Sequence, residues 1–225
     1  MTWCPKPIKG VALRLTRNNA CGAALAPTVA NSRIAAEAFV SLTMTPDYYE
    51  GEEIEVPLAN GGLCVYDSPE PVLRGFELEL SVCGLPFPML EMLAGFTALE
   101  DASSNIIGAM SPESMVPRNA NSVQLEVWQR NHAAGCGGGV TDLYVHHVLT
   151  KTRKWRVTGD LEIADAALEC VLTGYAEKNP NWTPAVTAEF TTANVAIIKA
   201  GGPWGYQAAA TLPALDDCDY VPASA

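Results

Sequence analysis

The chain has 225 residues, with 14 lysines and arginines against 25 aspartates and glutamates, so its formal net charge is −11. A protein that grips nucleic acid through its phosphates needs a clustered basic surface, and this balance argues against that class. Apolar residues make up 48% of the chain and charged residues 17%, which excludes an intrinsically disordered protein and is sufficient for a sizeable core.

Targeting and redox signals are few. The first ten residues include Lys6, Lys9 and two prolines, and no uninterrupted apolar segment follows them, so we expect no secretory signal. No run approaches the roughly 18 apolar residues that span a bilayer, which predicts a soluble protein made in a cytoplasm. The seven cysteines form no C-x-x-C pair. We expect mostly reduced, buried thiols, with one or two disulfides formed after release from a cell as the alternative.

In chain order, apolar residues mostly alternate with polar ones at a period of two, which is typical of β-strands. The pattern predicts strands over residues 11–16, 38–45, 53–56, 76–80, 123–128, 143–149, 152–158, 161–163, 168–174 and 185–191. Asn60-Gly61-Gly62 is a hairpin-turn signal. One helix is predicted over residues 87–96, stopping at Gly95, and a second around residues 97–110.

These elements predict a mainly β fold, a β-sandwich or barrel-like domain with one or two flanking short helices. We assign residues 1–200 to this domain and residues 201–225 to a C-terminal extension or arm. Glycines and prolines interrupt any long element in the arm, so we expect it to become ordered against a neighbouring molecule. A frayed terminus is the alternative.

Catalytic signatures are missing from the sequence. There is no G-x-S-x-G elbow and no H-E-x-x-H motif, and residues 135–139 lack the Lys-Ser/Thr ending of a phosphate-binding loop. Two histidines, His146 and His147, are adjacent on a predicted strand and must point to opposite faces, so they cannot easily bind one metal ion. His132 and Cys136, nearby in sequence, do not complete a ligand spacing. We predict a hydrogen-bonded histidine beside the core, no metal or cofactor, and no enzyme.

Carboxylates are concentrated on two predicted strands. One carries Glu50, Glu52, Glu53 and Glu55, and the other carries Glu77 and Glu79. Paired carboxylates serve as acid and base in glycoside hydrolysis and can bind Ca²⁺, although no D-x-D-x-D-G loop is present. We favour a solvated acidic face over an apolar one, with Ile54 and Val56 packed inward. The two acidic strands are then expected to lie side by side in one sheet.

Several strings in order carry a family resemblance. They are VALRLTRNNACG (11–22), SLTMTPDYYEGEEIE (41–55), LCV (63–65), LRGFELELSVCGLPFPMLEMLAGF (73–96), VQLEVWQ (123–129) and WRVTGDLEIADAALECVLTGY (155–175). Over roughly residues 8–185 the chain resembles the major tail proteins, or tail tube proteins, of long-tailed bacteriophages that infect actinobacteria. None of the matching strings is an active-site motif.

The resemblance implies a structural role. Tail tube proteins of this kind are β-sandwiches flanked by a helix, and six copies form a ring in which their sheets close into a continuous barrel. Rings stack head to tail, and an extended hairpin and often the termini reach the next ring. Double-stranded DNA passes through the lumen during ejection. The implied partners are further copies, the tape measure protein, the tail terminator and the distal tail proteins. The implied location is the virion, after assembly in the host cytoplasm.

Candidate residues for this role follow from charge and exposure. An acidic lumen repels phosphates, and six copies would carry 6 × (−11), about −66, so DNA could slide without binding. The lumen-lining candidates are Glu53, Glu55, Glu77 and Glu79. The candidates for contacts between subunits are Asp47, Tyr48 and Tyr49, within residues 45–62, and Trp204, Tyr206 and Tyr220, within the C-terminal arm.

Other classes remain open. A tail terminator, a head–tail connector or a capsid decoration protein has the same acidic, β-rich character. A glycan hydrolase would need two carboxylates that face one cleft. A carbohydrate-binding sandwich would need a concave surface lined by some of the tryptophans Trp3, Trp128, Trp155, Trp182 and Trp204.

Overall fold

The computed structural model describes residues 6–37, 39–58, 60–103, 106–113, 122–132, 144–159, 168–184, 190 and 192–213. In this part of the chain the fold is mainly β, with two short helices, as predicted. The elements are β1 (Pro7–Arg17), β2 (Arg33–Ala36), β3 (Phe39–Tyr49), β4 (Ile54–Pro57), β5 (Leu63–Asp67), β6 (Val72–Cys83), α1 (Phe87–Ala94), β7 (Thr97–Glu100), β8 (Ile106–Met110), β9 (Val123–Asn131), β10 (Tyr144–Val157), β11 (Glu169–Glu177), α2 (Thr192–Ala200) and β12 (Trp204–Ala209). No helix among the described residues is long and apolar enough to cross a membrane.

Eight strands form one antiparallel sheet in the order β2-β1-β9-β10-β11-β6-β3, with β12 attached to β10. Strand β10 changes partners along its length. Its first half pairs with β9 and β12, and its second half, from Thr152, pairs with β11. The register is irregular at this change, and Lys154 there has a positive φ of 60°. Bulges of this kind bend a strand, so β10 turns the corner between two parts of the sheet.

The apolar faces of the two parts of the sheet enclose the main core. Its buried residues come from both parts and from α1, and include Leu13, Leu15, Leu80, Leu125, Leu149, Leu172, Met89 and Leu90. The sheet ends approach each other where the ring of Phe39 covers Gly10, at which a Cβ would lie 2.5 Å from the ring. Among the described residues β2 and β3 do not pair with each other, so the barrel is open there.

Helix α1 confirms the helix predicted over residues 87–96. Pro88 lies in its first turn, where a missing backbone N–H costs nothing, and its apolar face is buried in the core. Gly95 ends it in the left-handed conformation, with φ 77°, as the sequence indicated.

The helix predicted around residues 97–110 is wrong. That segment is the hairpin β7–β8, in which Thr97 pairs with Met110 and Leu99 with Gly108. β-branched Thr97, Ile106 and Ile107 favour strands, which outweighs the weak helical spacing. The second helix is α2, in a segment without a helix prediction, and the strands predicted at 143–149 and 152–158 are one strand, β10. The strand predicted at 161–163 and most of that at 185–191 lie outside the described residues.

The expectation of mostly buried thiols is also wrong for the described cysteines. Cys21, Cys64 and Cys83 are exposed free thiols, and only Cys170 is buried. Burial raises the pKa of the Cys170 thiol, which keeps it protonated as a small apolar side chain. The other three lie at turns or on outward strand positions, where no other element covers them.

Candidate assembly surfaces

Strand β6 has an acidic outer face, as its sequence predicted. Glu77 and Glu79 are exposed, whereas the alternating Leu78 and Leu80 are buried in the core. Glu79 lies between Thr43 of β3 and Thr173 of β11. The next row places Glu77 between Thr45 and Tyr175. The outer face of these three strands therefore presents carboxylates flanked by hydroxyl groups.

This face forms an open groove of about 460 Å³. Lys154 and Arg156 of β10 line it together with the two glutamates. The face is therefore mixed rather than uniformly acidic, with a cationic row on β10 and an acidic row on β6. Both glutamates face this one groove. A glycan hydrolase needs two carboxylates that face one cleft, and the groove meets that requirement.

Asp47 and Tyr175 tie the two sides of the groove together. The Tyr175 hydroxyl donates a 2.7 Å hydrogen bond to Oδ2 of Asp47. Partial burial and the Asp47 carboxylate raise the pKa of Tyr175 to about 12, so the phenol stays protonated as a donor. Tyr175 lies against Gly75, at which a Cβ would fall 2.6 Å from its hydroxyl. Asp47, predicted to contact another subunit, thus makes this contact within its own chain.

The segment between β3 and β6 is a projecting hairpin. Strands β4 and β5 pair only with each other among the described residues. Asn60-Gly61-Gly62 forms the turn between them, with Gly61 at φ 84°, as predicted. Gly51 packs so tightly against Pro69 that no side chain fits there, which holds the two ends of the hairpin together.

Two expectations about this hairpin are wrong. Ile54 and Val56, expected to pack inward, are 50% and 44% exposed. Glu55 lies on β4, beside β5 and not beside β6, so the two acidic strands are not neighbours. A period of two identifies the faces of a strand, but it does not show whether another element covers either face.

We call residues 50–70 the acidic hairpin. It carries six carboxylates and no lysine or arginine: Glu50, Glu52, Glu53, Glu55, Asp67 and Glu70. Its exposed apolar residues are Ile54, Val56, Leu58, Leu63, Val65 and Tyr66. At its base, Tyr48 and Tyr49 are exposed and pair with Leu73 and Val72, and Arg74 lies 5.8 Å from the Tyr49 ring.

The aromatic residues predicted in the C-terminal arm have separate environments. Trp204 is half-buried on the main core, edge-on to Phe76 with ring centroids 6.2 Å apart and stacked on His147 at 5.9 Å. Tyr206 is exposed on the same strand, which pairs with β10 in the main sheet. Tyr220 lies outside the described residues.

A buried charge cluster lies between β1, β9 and β10, and no sequence motif marks it. Arg14 and Glu126 form two hydrogen bonds of 2.7 Å, and Oε1 of Glu126 lies 3.0 Å from Nε2 of His146. His146 stacks on Trp128 at 4.1 Å. Burial alone would raise the pKa of Glu126, but Arg14 and His146 together lower it to about 2.

A second, smaller core covers this cluster. It consists of Val148, Trp182 and Phe190, with Val195 and Ile198 of α2 packed against them. Arg14 and Glu126 lie on the side of their strands that faces away from the main core. An alternating sequence pattern predicts that such positions are exposed to solvent. No local signal indicates that Trp182, Phe190 and α2 return to cover them.

His147 confirms the predicted histidine beside the core. It faces away from His146, and its Nε2 lies 2.8 Å from Oε1 of Gln129. Burial and the neighbouring His146 lower the pKa of His147 to about 4, so it is neutral near pH 7. No group of three or more potential metal ligands occurs among the described residues.

Three of the tryptophans that a carbohydrate-binding surface would need are buried. Trp128, Trp155 and Trp182 are inaccessible, and Trp204 packs on the core. Trp3 lies outside the described residues. The described tryptophans therefore do not line an exposed concave surface.

No family model matches the sequence, and no curated protein matches it. Among solved structures, the chain is similar to the cryo-EM structure of the anti-feeding prophage cap, described as the cap that terminates the tube. The sequences are 11% identical, the match covers 78% of this chain and 91% of that chain, and the TM-score is 0.34.

Proposed function

We propose that this protein is a structural subunit of a phage tail, and that it is the tail tube subunit of a long-tailed phage. The observation that carries the proposal is the acidic hairpin, whose apolar residues are exposed on a two-stranded ribbon detached from the main sheet. An isolated two-stranded ribbon is marginally stable in water, and monomeric proteins seldom expose a large contiguous apolar patch. A hairpin built this way gains stability when another molecule covers it.

The open sheet supports ring formation. Strand β3 is 11 residues long and pairs only with β6 among the described residues. A long unpaired edge favours aggregation unless another strand covers it, and a closed ring of identical copies provides such a cover. In the proposed assembly, copies join side by side at this edge, and their sheets line a common channel.

The groove face is the proposed channel wall. Glu77 and Glu79 repel phosphates, and the surrounding threonine hydroxyls bind them only weakly. Lys154 and Arg156 lie in the same groove, so the local charge is close to balance and attraction of DNA is weak there. DNA would then pass along a polar surface without tight binding. Glu53 and Glu55 lie on the acidic hairpin, so we assign them to contacts between rings instead of the channel.

The proposed partners are further copies in stacked six-fold rings, the tape measure protein, the tail terminator, the distal tail proteins and passing DNA. No catalysis, cofactor or membrane is part of the proposal, and the location is the virion. The glycan-hydrolase alternative is tested by incubating the protein with bacterial cell-wall glycans. If the wild type hydrolyses the glycans and Glu77→Gln does not, the groove is an active site and not a channel wall.

Electron microscopy of the purified protein over a range of concentrations tests the proposal. Tubes with a continuous lumen, or six-fold rings that stack, are the expected result. Discrete rings that never stack would favour a terminator or connector instead. Monodisperse monomer under every condition would contradict assembly altogether.

A further inference from the structure

We propose that the acidic hairpin of one copy docks onto a basic corner of a second copy, formed by Lys6, Ile8, Lys9 and Arg130. This inference rests on the proposed function, because it names the surface that receives the hairpin when rings stack. The occupant of the basic corner is a second copy of this chain.

The basic corner contains a pair of like charges. Lys9 of β1 lies directly opposite Arg130 of β9 in the strand register. Like charges that face each other across two strands destabilise a sheet. None of Lys6, Lys9 and Arg130 makes an ion pair with any described residue of the chain. A carboxylate from outside the chain would remove this cost.

The corner also has an exposed apolar residue and a well-defined backbone. Ile8 is 61% exposed and lies between the two lysines in sequence. The backbone N–H of Lys6 donates to Oδ1 of Asn131 at 2.8 Å, and the Lys6 carbonyl accepts from the N–H of His132 at 2.9 Å. The corner is therefore held in place before a partner arrives, which lowers the entropic cost of binding.

The acidic hairpin has the complementary composition. Its carboxylates have no basic neighbour within residues 50–70, and its apolar residues are exposed beside them. Apolar burial supplies affinity at such a contact, while opposite charges set orientation and reject wrong pairings. Among the described residues, no ion pair joins the hairpin to the corner within one chain.

Several other described cations have carboxylates beside them already, and Lys178 donates to the carbonyl of Ala200 at 3.0 Å. Lys151 and Arg153 pair with Glu177, and Arg17 pairs with Glu91. Lys154 and Arg156 share the groove with Glu77 and Glu79. The basic corner is therefore the better match for a surface as acidic as the hairpin.

Cross-linking tests the contact directly. Unlabelled and ¹⁵N-labelled full-length protein are mixed, allowed to assemble, and treated with a carbodiimide, which joins an amine to a carboxylate at salt-bridge distance. Mass spectrometry is expected to find Lys6 or Lys9 joined to a glutamate of residues 50–55, with one labelled and one unlabelled peptide.

Charge reversal tests how much this docking contact contributes to assembly. We expect Lys9→Glu/Arg130→Glu to raise the concentration needed for assembly by about tenfold or more, equivalent to about 1.4 kcal/mol. Combining it with Glu53→Lys/Glu55→Lys is expected to restore assembly. In the control Lys178→Glu/Lys199→Glu, two cations outside the basic corner, one exposed and one half-buried, are replaced by carboxylates. We expect this control to assemble like the wild type. Circular dichroism verifies that each variant is folded.

The outcomes separate this inference from the proposed function. Tubes that form normally from Lys9→Glu/Arg130→Glu, with cross-links at other residues, would overturn the docking contact and leave the tube proposal standing. A wild-type protein that never assembles would overturn both. Binding of a DNA duplex that requires Lys9 and Arg130, without cross-links between copies, would identify nucleic acid as the occupant and overturn the contact.

Discussion

Arg14 and Glu126 form a bidentate ion pair in which the two side chains are 3% and 0% exposed and both hydrogen bonds are 2.7 Å long. The pair joins β1 to β9 beneath the second core. Because both charges are removed from water, each stabilises the fold only as long as the other is present.

We therefore expect Glu126→Ala to destabilise the protein by about 3–5 kcal/mol, because it removes the carboxylate that pairs with the buried Arg14 guanidinium. Arg14→Met/Glu126→Leu removes both charges and is expected to cost less than the sum of the single changes. Urea unfolding of the three variants and the wild type measures the difference. A double variant as unstable as that sum would show that the two charges act independently.

Because folding lowers the pKa of Glu126, the stability of the protein depends on pH in the acidic range. The carboxyl has an ordinary pKa of 4.5 and a pKa of about 2 in the folded protein, so the unfolded chain binds more protons between these values. Its contribution is complete above about pH 4.5 and is lost as the pH falls towards 2. Unfolding free energies across this range should therefore fall more steeply for the wild type than for Glu126→Gln. Parallel curves would contradict the assignment.

His147 contributes in a higher pH range. Its pKa falls from 6.5 to about 4 on folding, so the unfolded chain again binds more protons, here between pH 4 and 6.5. The neutral imidazole favours the folded state fully above pH 6.5, and this contribution is lost on acidification towards pH 4. His147→Gln should flatten the stability curve in this range and leave the fall below pH 4 in place. Denaturant unfolding at half-unit steps of pH separates the two groups.

Gly174 is expected to resist substitution for steric reasons. A Cβ at this position would lie 2.5 Å from the ring of Trp155, which is buried in the main core. Gly174→Ala should cost about 1–3 kcal/mol, as overpacking of a core does. Gly202→Ala is the matched control, because nothing lies within 4 Å of the added carbon. Equal melting temperatures for the two variants would contradict the packing around Trp155.

The acidic hairpin is expected to matter for assembly and little for folding. Val56→Asn/Val65→Asn changes two exposed residues, so the melting temperature should change little, since such surface substitutions usually lie within about ±0.5 kcal/mol. Assembly should fall sharply, because the apolar contact between rings is lost. Light scattering and electron microscopy measure it, and Ile197→Asn, at an exposed position on α2, is the control. A variant that assembles like the wild type would remove the hairpin from the proposed contact.

Local sequence features determined the elements that depend on neighbours in the chain. The alternation in β6 determined which side chains face the core, Pro88 and Gly95 marked the two ends of α1, and Asn60-Gly61-Gly62 marked a turn. These features act within a few residues, through backbone conformation and side-chain period. They therefore predict strands, helices and turns without knowledge of the fold.

Tertiary structure alone decided which faces are covered. Glu126 and Glu77 both stand on outward strand positions, yet Trp182, Phe190 and α2 cover the first, while the second remains in an open groove. Ile54 is apolar and exposed, because β4 pairs away from the main sheet. Burial is set by elements far apart in the chain, and a pattern with a period of two is the same whether or not a distant element covers it.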